Sequence, residues 1–166
     1  EDIGRLLQVG ADKVVINSSA FRDPELITKA AQKFGSQCIT VSIDARQESS
    51  GTYSVVSNAG TKNENIDPRV HALHMQERGA GEIFLTSIDN DGMMKGYDLT
   101  LIKDIADVLS IPLIVSGGAG NYEHLHEAFS VGDVSGVSAS SIFHFTEQTP
   151  LAAKRYLASR NIPVRC

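Results

Sequence analysis

At 166 residues, 42% of them hydrophobic, the chain has the length of one domain and enough apolar side chains for a packed core. Its formal charge of −5, with acidic and basic residues mixed along the chain, offers no basic stripe for a phosphate backbone and argues against nucleic acid as a partner. No apolar stretch approaches the roughly 18 to 20 residues that cross a bilayer, and the opening residues are charged rather than signal-like, so a soluble cytoplasmic protein is expected.

The chain opens with the helical stretch IGRLLQVG, where Ile3, Leu6 and Leu7 make one apolar face ended by Gly10, and the strand KVVINSS follows at once. Asp23 is expected to cap the next helix, with Pro24 at its first position, LITKAAQKF as its apolar stripe and Gly35 as its stop. After the strand CITVSIDA comes a Gly/Ser/Asn-rich excursion, Gln47 to Asn65, whose TYSVVS piece predicts a small hairpin or lid. Asp67 and Pro68 repeat the helix-start signal, RVHALHMQER runs to Gly79, and the strand EIFLTSID leads into the loop NDGMMKGYD. Helix LTLIKDIADVL, strand PLIVSGG, helix YEHLHEAFSVG, strand SGVSASSIF and helix PLAAKRYLAS complete an alternation of five strands and six helices. Cys38 lies in an apolar run and Cys166 is the last residue; their spacing suggests neither a zinc site nor a disulfide framework, and both are expected as free thiols.

Such an alternation fits an open doubly wound sheet or part of a closed (β/α) barrel. The polar residues favour the barrel. Strand after strand ends in small, hydroxyl or carboxylate residues: Asn17 and Ser18, Asp44, Thr86 and Asp89, Ser116 and Gly117, Ser140 and Ser141. In a barrel all these ends meet at one mouth, where such enzymes keep their chemistry.

The strongest local signal is Ser116-Gly117-Gly118-Ala119-Gly120-Asn121 between an apolar strand and a helix. Glycines there let backbone N–H groups approach an anion, and the helix start adds a favourable dipole. The plain alternative is a tight strand-to-helix turn. It weakens once Ser140 and Ser141 are added, because the loops after the last two strands of a barrel are a recurrent phosphate site. Asp44 ends an otherwise apolar and small-residue strand; partial desolvation there would raise its proton affinity and suit it to acid or base work, while an ordinary cap or a partner for Arg46 is the competing reading. Asp91 beside Gly92 is a ligand-contact candidate, although Asp-Gly also favours tight turns. His71, His74, His124 and His126 sit on helices at spacings that do not pair them for metal, His144 follows the last strand, and exposed helix faces explain most of the five.

With these strand ends laid out, GADKVVINSSAF, FGSQCITVSIDAR, RGAGEIFLTSIDNDGMMKGYD, IPLIVSGGAGNYEH and SASSIFHF are similar, in order and at matching spacing, to the successive blocks of the cyclase subunits of imidazole glycerol phosphate synthase. The resemblance spans essentially the whole chain. The isomerase acting one step earlier shares the barrel and the two-phosphate substrate, but normally has a glycine at the position of Asn17. What the cyclase resemblance implies is a (β/α)8 TIM barrel of which residues 1–166 form only the C-terminal five strands and their helices, an incomplete barrel. It also implies that Asp44 is the acid in closing the imidazole ring, that Asn17, Ser18 and Thr86 line the mouth, and that Asp91, Gly92, Ser116, Gly117, Gly118, Ser140 and Ser141 hold a phosphate end. On the opposite face, Asp12, Lys13 and Glu82 would meet a glutaminase subunit in a heterodimer and form the ammonia gate. The substrate would be a two-phosphate, nucleotide-like small molecule, and the resemblance implies no organic cofactor or metal.

Departures from the family pattern are equally specific. The first three strands, with the second catalytic aspartate and much of the second phosphate site, have no counterpart here, so the polypeptide as it stands is expected to be inactive on its own. Lys62-Asn63-Glu64-Asn65 stands in the lid where the family usually has Asn-Thr-Gly, Asn90 replaces the usual Arg, and Met93 stands where Thr is common. These changes leave two further readings: a paralogous ammonia-using synthase of surface-polysaccharide sugars, or a catalytically silent phosphate-binding fragment.

Overall fold

The computed structural model describes residues 1–165; Cys166 and the thiol expected there lie outside the described residues. Helix α1 (Asp2–Gln8) precedes β1 (Val14–Ile16), α2 (Ser18–Arg22), α3 (Glu25–Phe34), a 3₁₀ turn at Ser36–Cys38, and the long β2 (Ile39–Gln47). An antiparallel hairpin, β3 (Tyr53–Ser57) and β4 (Lys62–Asn63), folds back along the end of β2. Then α4 (Pro68–Glu77), β5 (Glu82–Ser87), α5 (Leu99–Ala106), β6 (Leu113–Ser116), α6 (Tyr122–Ser130), β7 (Gly136–Val137), α7 (Ser141–Phe145) and α8 (Pro150–Ser159) complete the chain. No described helix is long and apolar enough to cross a membrane.

Five strands, β1, β2, β5, β6 and β7, run parallel and pair in that order, with the β3–β4 hairpin intervening in sequence between β2 and β5. A doubly wound sheet reverses its strand order at one point; this one does not, so right-handed crossovers place every helix on the same face. The sheet is an open arc of a barrel, because nothing pairs β1 with β7. Burial follows the same division. On the helix side Val41, Ile43, Ile83, Leu85, Leu113 and Val115 are all essentially inaccessible, while on the other face Asp44, Phe84, Thr86, Ile114 and Ser116 are half-buried and Thr40, Ser42 and Glu82 are buried. Val15, on that inner face beside Thr40, is 59% exposed.

Several local expectations are corrected. Asp23 makes no cap; Glu25 starts α3 behind Pro24, and no side chain closes its first turn. Asp67 does cap, accepting the Arg69 N–H, with Pro68 in the first turn. Leu6 is 48% exposed rather than part of the apolar face, which leaves Ile3 as the buried residue of α1. The segments KVVINSS and SGVSASSIF are each half strand and half helix: Asn17 and Ser140 break the strands, and the small and apolar residues after them coil into α2 and α7. Short apolar runs of this kind suit either state, and here they coil, burying Ala20 and Ile142 in the core. Cys38 is a half-buried free thiol.

Candidate functional site

Strand register assembles the rim. Asp44 lies opposite Thr86, and Thr86 opposite Ser116, so the three occupy one row at the C-terminal ends of β2, β5 and β6, facing away from the helices. Val115 pairs with Val137, and the Ser138 N–H continues the ladder to the Val115 carbonyl at 2.8 Å, which brings the segment leading to Ser140 beside the end of β6. Parallel strands paired side by side bring their C-terminal ends to one rim.

Asp44 is half-buried, and its Oδ2 accepts the Asn17 Nδ2–H at 2.9 Å. Burial raises its pKa above the ordinary carboxylate value, the Asn17 hydrogen bond pulls it partly back, and the negative charge of Asp91 raises it again. Arg46 does not pair with it. Its Nη2 donates instead to the Gly60 carbonyl at 2.9 Å, tying the hairpin tip to the end of β2. Asn17 keeps its Oδ1 buried and without a partner, a condition that costs stability unless something supplies a donor.

Gly117 and Gly118 adopt φ of 94° and 113°, a backbone region that side chains resist. There is also no room for one: a Cβ on Gly117 would press on the Ser87 carbonyl and the Asp91 backbone, and one on Gly118 would collide with the Gly96 carbonyl. The glycine turn is thereby packed onto the Asp91–Gly96 loop, with the Gly96 N–H donating to the Gly118 carbonyl at 2.8 Å. Between them lies a cavity of about 50 Å³ lined by Asp91, Gly92, Ser116, Gly117, Gly118, Ala119, Ser138, Ala139, Ser140 and Ser141. The structure therefore brings seven of the sequence-predicted residues, from the ends of β5, β6 and β7 and the loops after them, into one pocket. Ala119, Ser138 and Ala139 escaped sequence reasoning because their contribution is backbone and position, which residue type does not advertise.

The remaining predicted residues fall in three places. Asn17 and Thr86 join Asp44 on the rim. Ser18 starts α2, and its Oγ accepts the Asn58 N–H at 3.1 Å, so it holds the hairpin tip. Lys13 and Glu82 lie at the opposite end of the inner face, with Lys13 Nζ 2.6 Å from Glu82 Oε2 and Thr40 Oγ1 donating to Oε1 at 3.0 Å. Four strand residues separate Thr40 from Asp44, about 13 Å along β2. Asp12 is exposed ahead of β1 and bonds to none of the described residues. His71 is an exception to the exposed faces expected for most of the histidines: it is buried at 4% exposure, stacked on Phe21 with ring centroids 4.4 Å apart.

The hairpin that overhangs this rim is fixed at both ends. Its base is held by Asp89, which accepts the Gln47 N–H, and by the Tyr53 hydroxyl, which donates to Asp98, the cap of α5. A parallel arc with its polar rim at the strand ends, a glycine turn after β6 and a serine pair after β7 is the arrangement to which the family comparison adds a name: the model of the histidine biosynthesis protein family matches residues 1–149, and the chain belongs to that family.

Proposed function

We propose that this chain supplies five strands of a cyclase barrel of imidazole glycerol phosphate synthase, whose complete form converts a ribulosyl aminoimidazole carboxamide nucleotide and ammonia into imidazole glycerol phosphate and aminoimidazole carboxamide ribotide. The family includes isomerases as well as cyclases; Asn17 favours the cyclase. The observation that carries the reading is Asp44. It is a half-buried carboxyl with raised proton affinity, oriented by an amide, and it stands in register with Thr86 and Ser116 above the glycine and serine turns.

An acid of this kind retains its proton closer to neutral pH than a surface aspartate, and can deliver it to a leaving oxygen during ring closure. The cavity between Gly117–Gly118 and Ser140–Ser141 suits a single tetrahedral anion held by backbone N–H groups, which would anchor the glycerol-phosphate end and present the reacting carbons along the rim. Lys13 and Glu82, at the far end of the same face, would meet a glutaminase subunit and admit the ammonia it releases. The test, run on the complete barrel, is turnover of the ribulosyl substrate with ammonium salt, comparing Asp44→Asn. A large fall in kcat with little change in substrate binding is expected, and an unchanged rate would reassign the acid.

One observation favours a second reading, a paralogous synthase of surface-polysaccharide sugars. Asn90, where the family usually has arginine, commits its amide to the Gly96 carbonyl at 3.0 Å instead of reaching across the mouth. Growth of a cyclase-deficient histidine auxotroph on the gene separates the two: rescue supports the histidine pathway, and failure with soluble protein present supports the paralogue.

A further inference from the structure

Helix α6 begins with an unusual reciprocal cap. Asn121 accepts the His124 backbone N–H through Oδ1 at 3.0 Å, the ordinary half of a capping box. In the returning half a glutamate or glutamine normally accepts the N–H of the capping residue itself; here the His124 ring reaches one residue further back, its Nδ1 accepting the Gly120 N–H at 3.1 Å. A backbone N–H can only donate, so Nδ1 must hold a lone pair, which places the ring proton on Nε2. The Asn121 Nδ2, held on this side because Oδ1 is committed to the cap, then lies 3.2 Å from a protonated Nε2 and makes no hydrogen bond with the ring, since both are donors.

The same ring backs two loops at once. A Cβ on Gly96 would meet His124 at 3.6 to 3.8 Å, so the ring lies against that backbone, and Gly96 in turn is bonded to Gly118 and to Asn90. On the other side, Gly120 is wedged against the Met94 carbonyl with no space for a side chain, and its own carbonyl accepts from Gln148 at 3.2 Å. His124 thus stands behind both walls of the cavity, the Asp91–Gly96 loop and the Gly117–Gly120 turn, without lining it.

We infer that His124 is a positioning residue for the anion pocket: its Nδ1 lone pair holds the Gly120 N–H and so fixes the glycine turn against the Asp91–Gly96 loop. This deepens the phosphate reading of that pocket and rests on it. The acceptor, rather than the ring's bulk, is the active feature, which two variants separate. His124→Gln supplies a carbonyl acceptor at a helix position where glutamine serves naturally; His124→Leu fills similar space with none.

Titration calorimetry with inorganic phosphate on the wild type and both variants is the test, with each variant's Tm recorded. Wild-type binding is expected, with affinity about fivefold or more weaker in His124→Leu, the loss of one such hydrogen bond, and within about twofold of wild type in His124→Gln. Equal binding by the leucine variant overturns the inference while leaving the pocket intact, and equal loss in both variants overturns it in favour of ring packing. A wild type that binds no phosphate removes the pocket and the inference together. Nitrogen-15 NMR of the wild-type ring gives an independent reading that needs no variant to fold: a proton on Nε2 is required, and a proton on Nδ1 overturns the assignment.

Discussion

Lowering the pH from 7 to 4 should destabilise this protein through one side chain. His71 is buried between α4 and α2, stacked on Phe21, with its Nε2 lacking any hydrogen-bond partner. Burial first, and the neighbouring His74 second, push its pKa down to about 4, while Glu64 works in the opposite direction. An unfolded histidine titrates near 6.5, so the unfolded chain binds the proton first. The stabilisation is complete above about pH 6.5 and fades as pH falls toward 4. Its full size is roughly 3 kcal/mol, a sizeable share of the 5–15 kcal/mol typical of a domain, and equivalent to roughly 6 to 12 °C in Tm for a chain of this length. Urea denaturation of wild type and His71→Phe at several pH values between 7 and 4.5 measures it. The phenylalanine keeps the stack and cannot titrate, so its stability should stay nearly flat where the wild type declines. Glu64 and Asp67, held below the ordinary carboxylate range, add their own losses only at lower pH. Parallel curves for the two proteins would refute the reasoning.

Three further outcomes are expected. Lys13→Met strips the counter-charge from Glu82, which is 8% exposed, and should cost about 1–3 kcal/mol in chemical denaturation, partly recovered by adding Glu82→Gln. Gly118→Ala, at φ 113° and facing the Gly96 carbonyl, should lower stability by about 2 kcal/mol or more, whereas Gly92→Ala, in open space at φ 74°, should cost no more than about 1 kcal/mol by the same measurement. Asn17→Ala removes the hydrogen bond that lowers the Asp44 pKa, so carbon-13 NMR of the Asp44 carboxyl should show its titration moving upward.

Much of this was legible in advance because the informative residues act through type and spacing. Asp67-Pro68 announces a helix start since a carboxylate and a ring suit an N-terminus whatever surrounds them. Polar residues ending successive apolar strands announce a shared rim for the same reason. Asp23-Pro24 carries the same letters and makes no cap, because its conformation is set by the chain leaving α2. The short helices α2 and α7 were hidden by residues that suit strand and helix alike. His71 was unreadable from spacing, since its burial depends on Phe21, fifty residues earlier, arriving above it. The pocket residues Ala119, Ser138 and Ala139 bring no side-chain chemistry, and only the fold identifies them.

The alternation of faces along each parallel strand has an evolutionary corollary. Positions such as Ser42, Phe84 and Ile114 belong to one parity class, and Val41, Leu85 and Val115 to the other. Selection acting on what the mouth recognises can therefore substitute the first class almost independently of the second, whose members answer only to the helices behind them. A scaffold with its letters sorted this way can drift between related substrates while its folding instructions remain untouched.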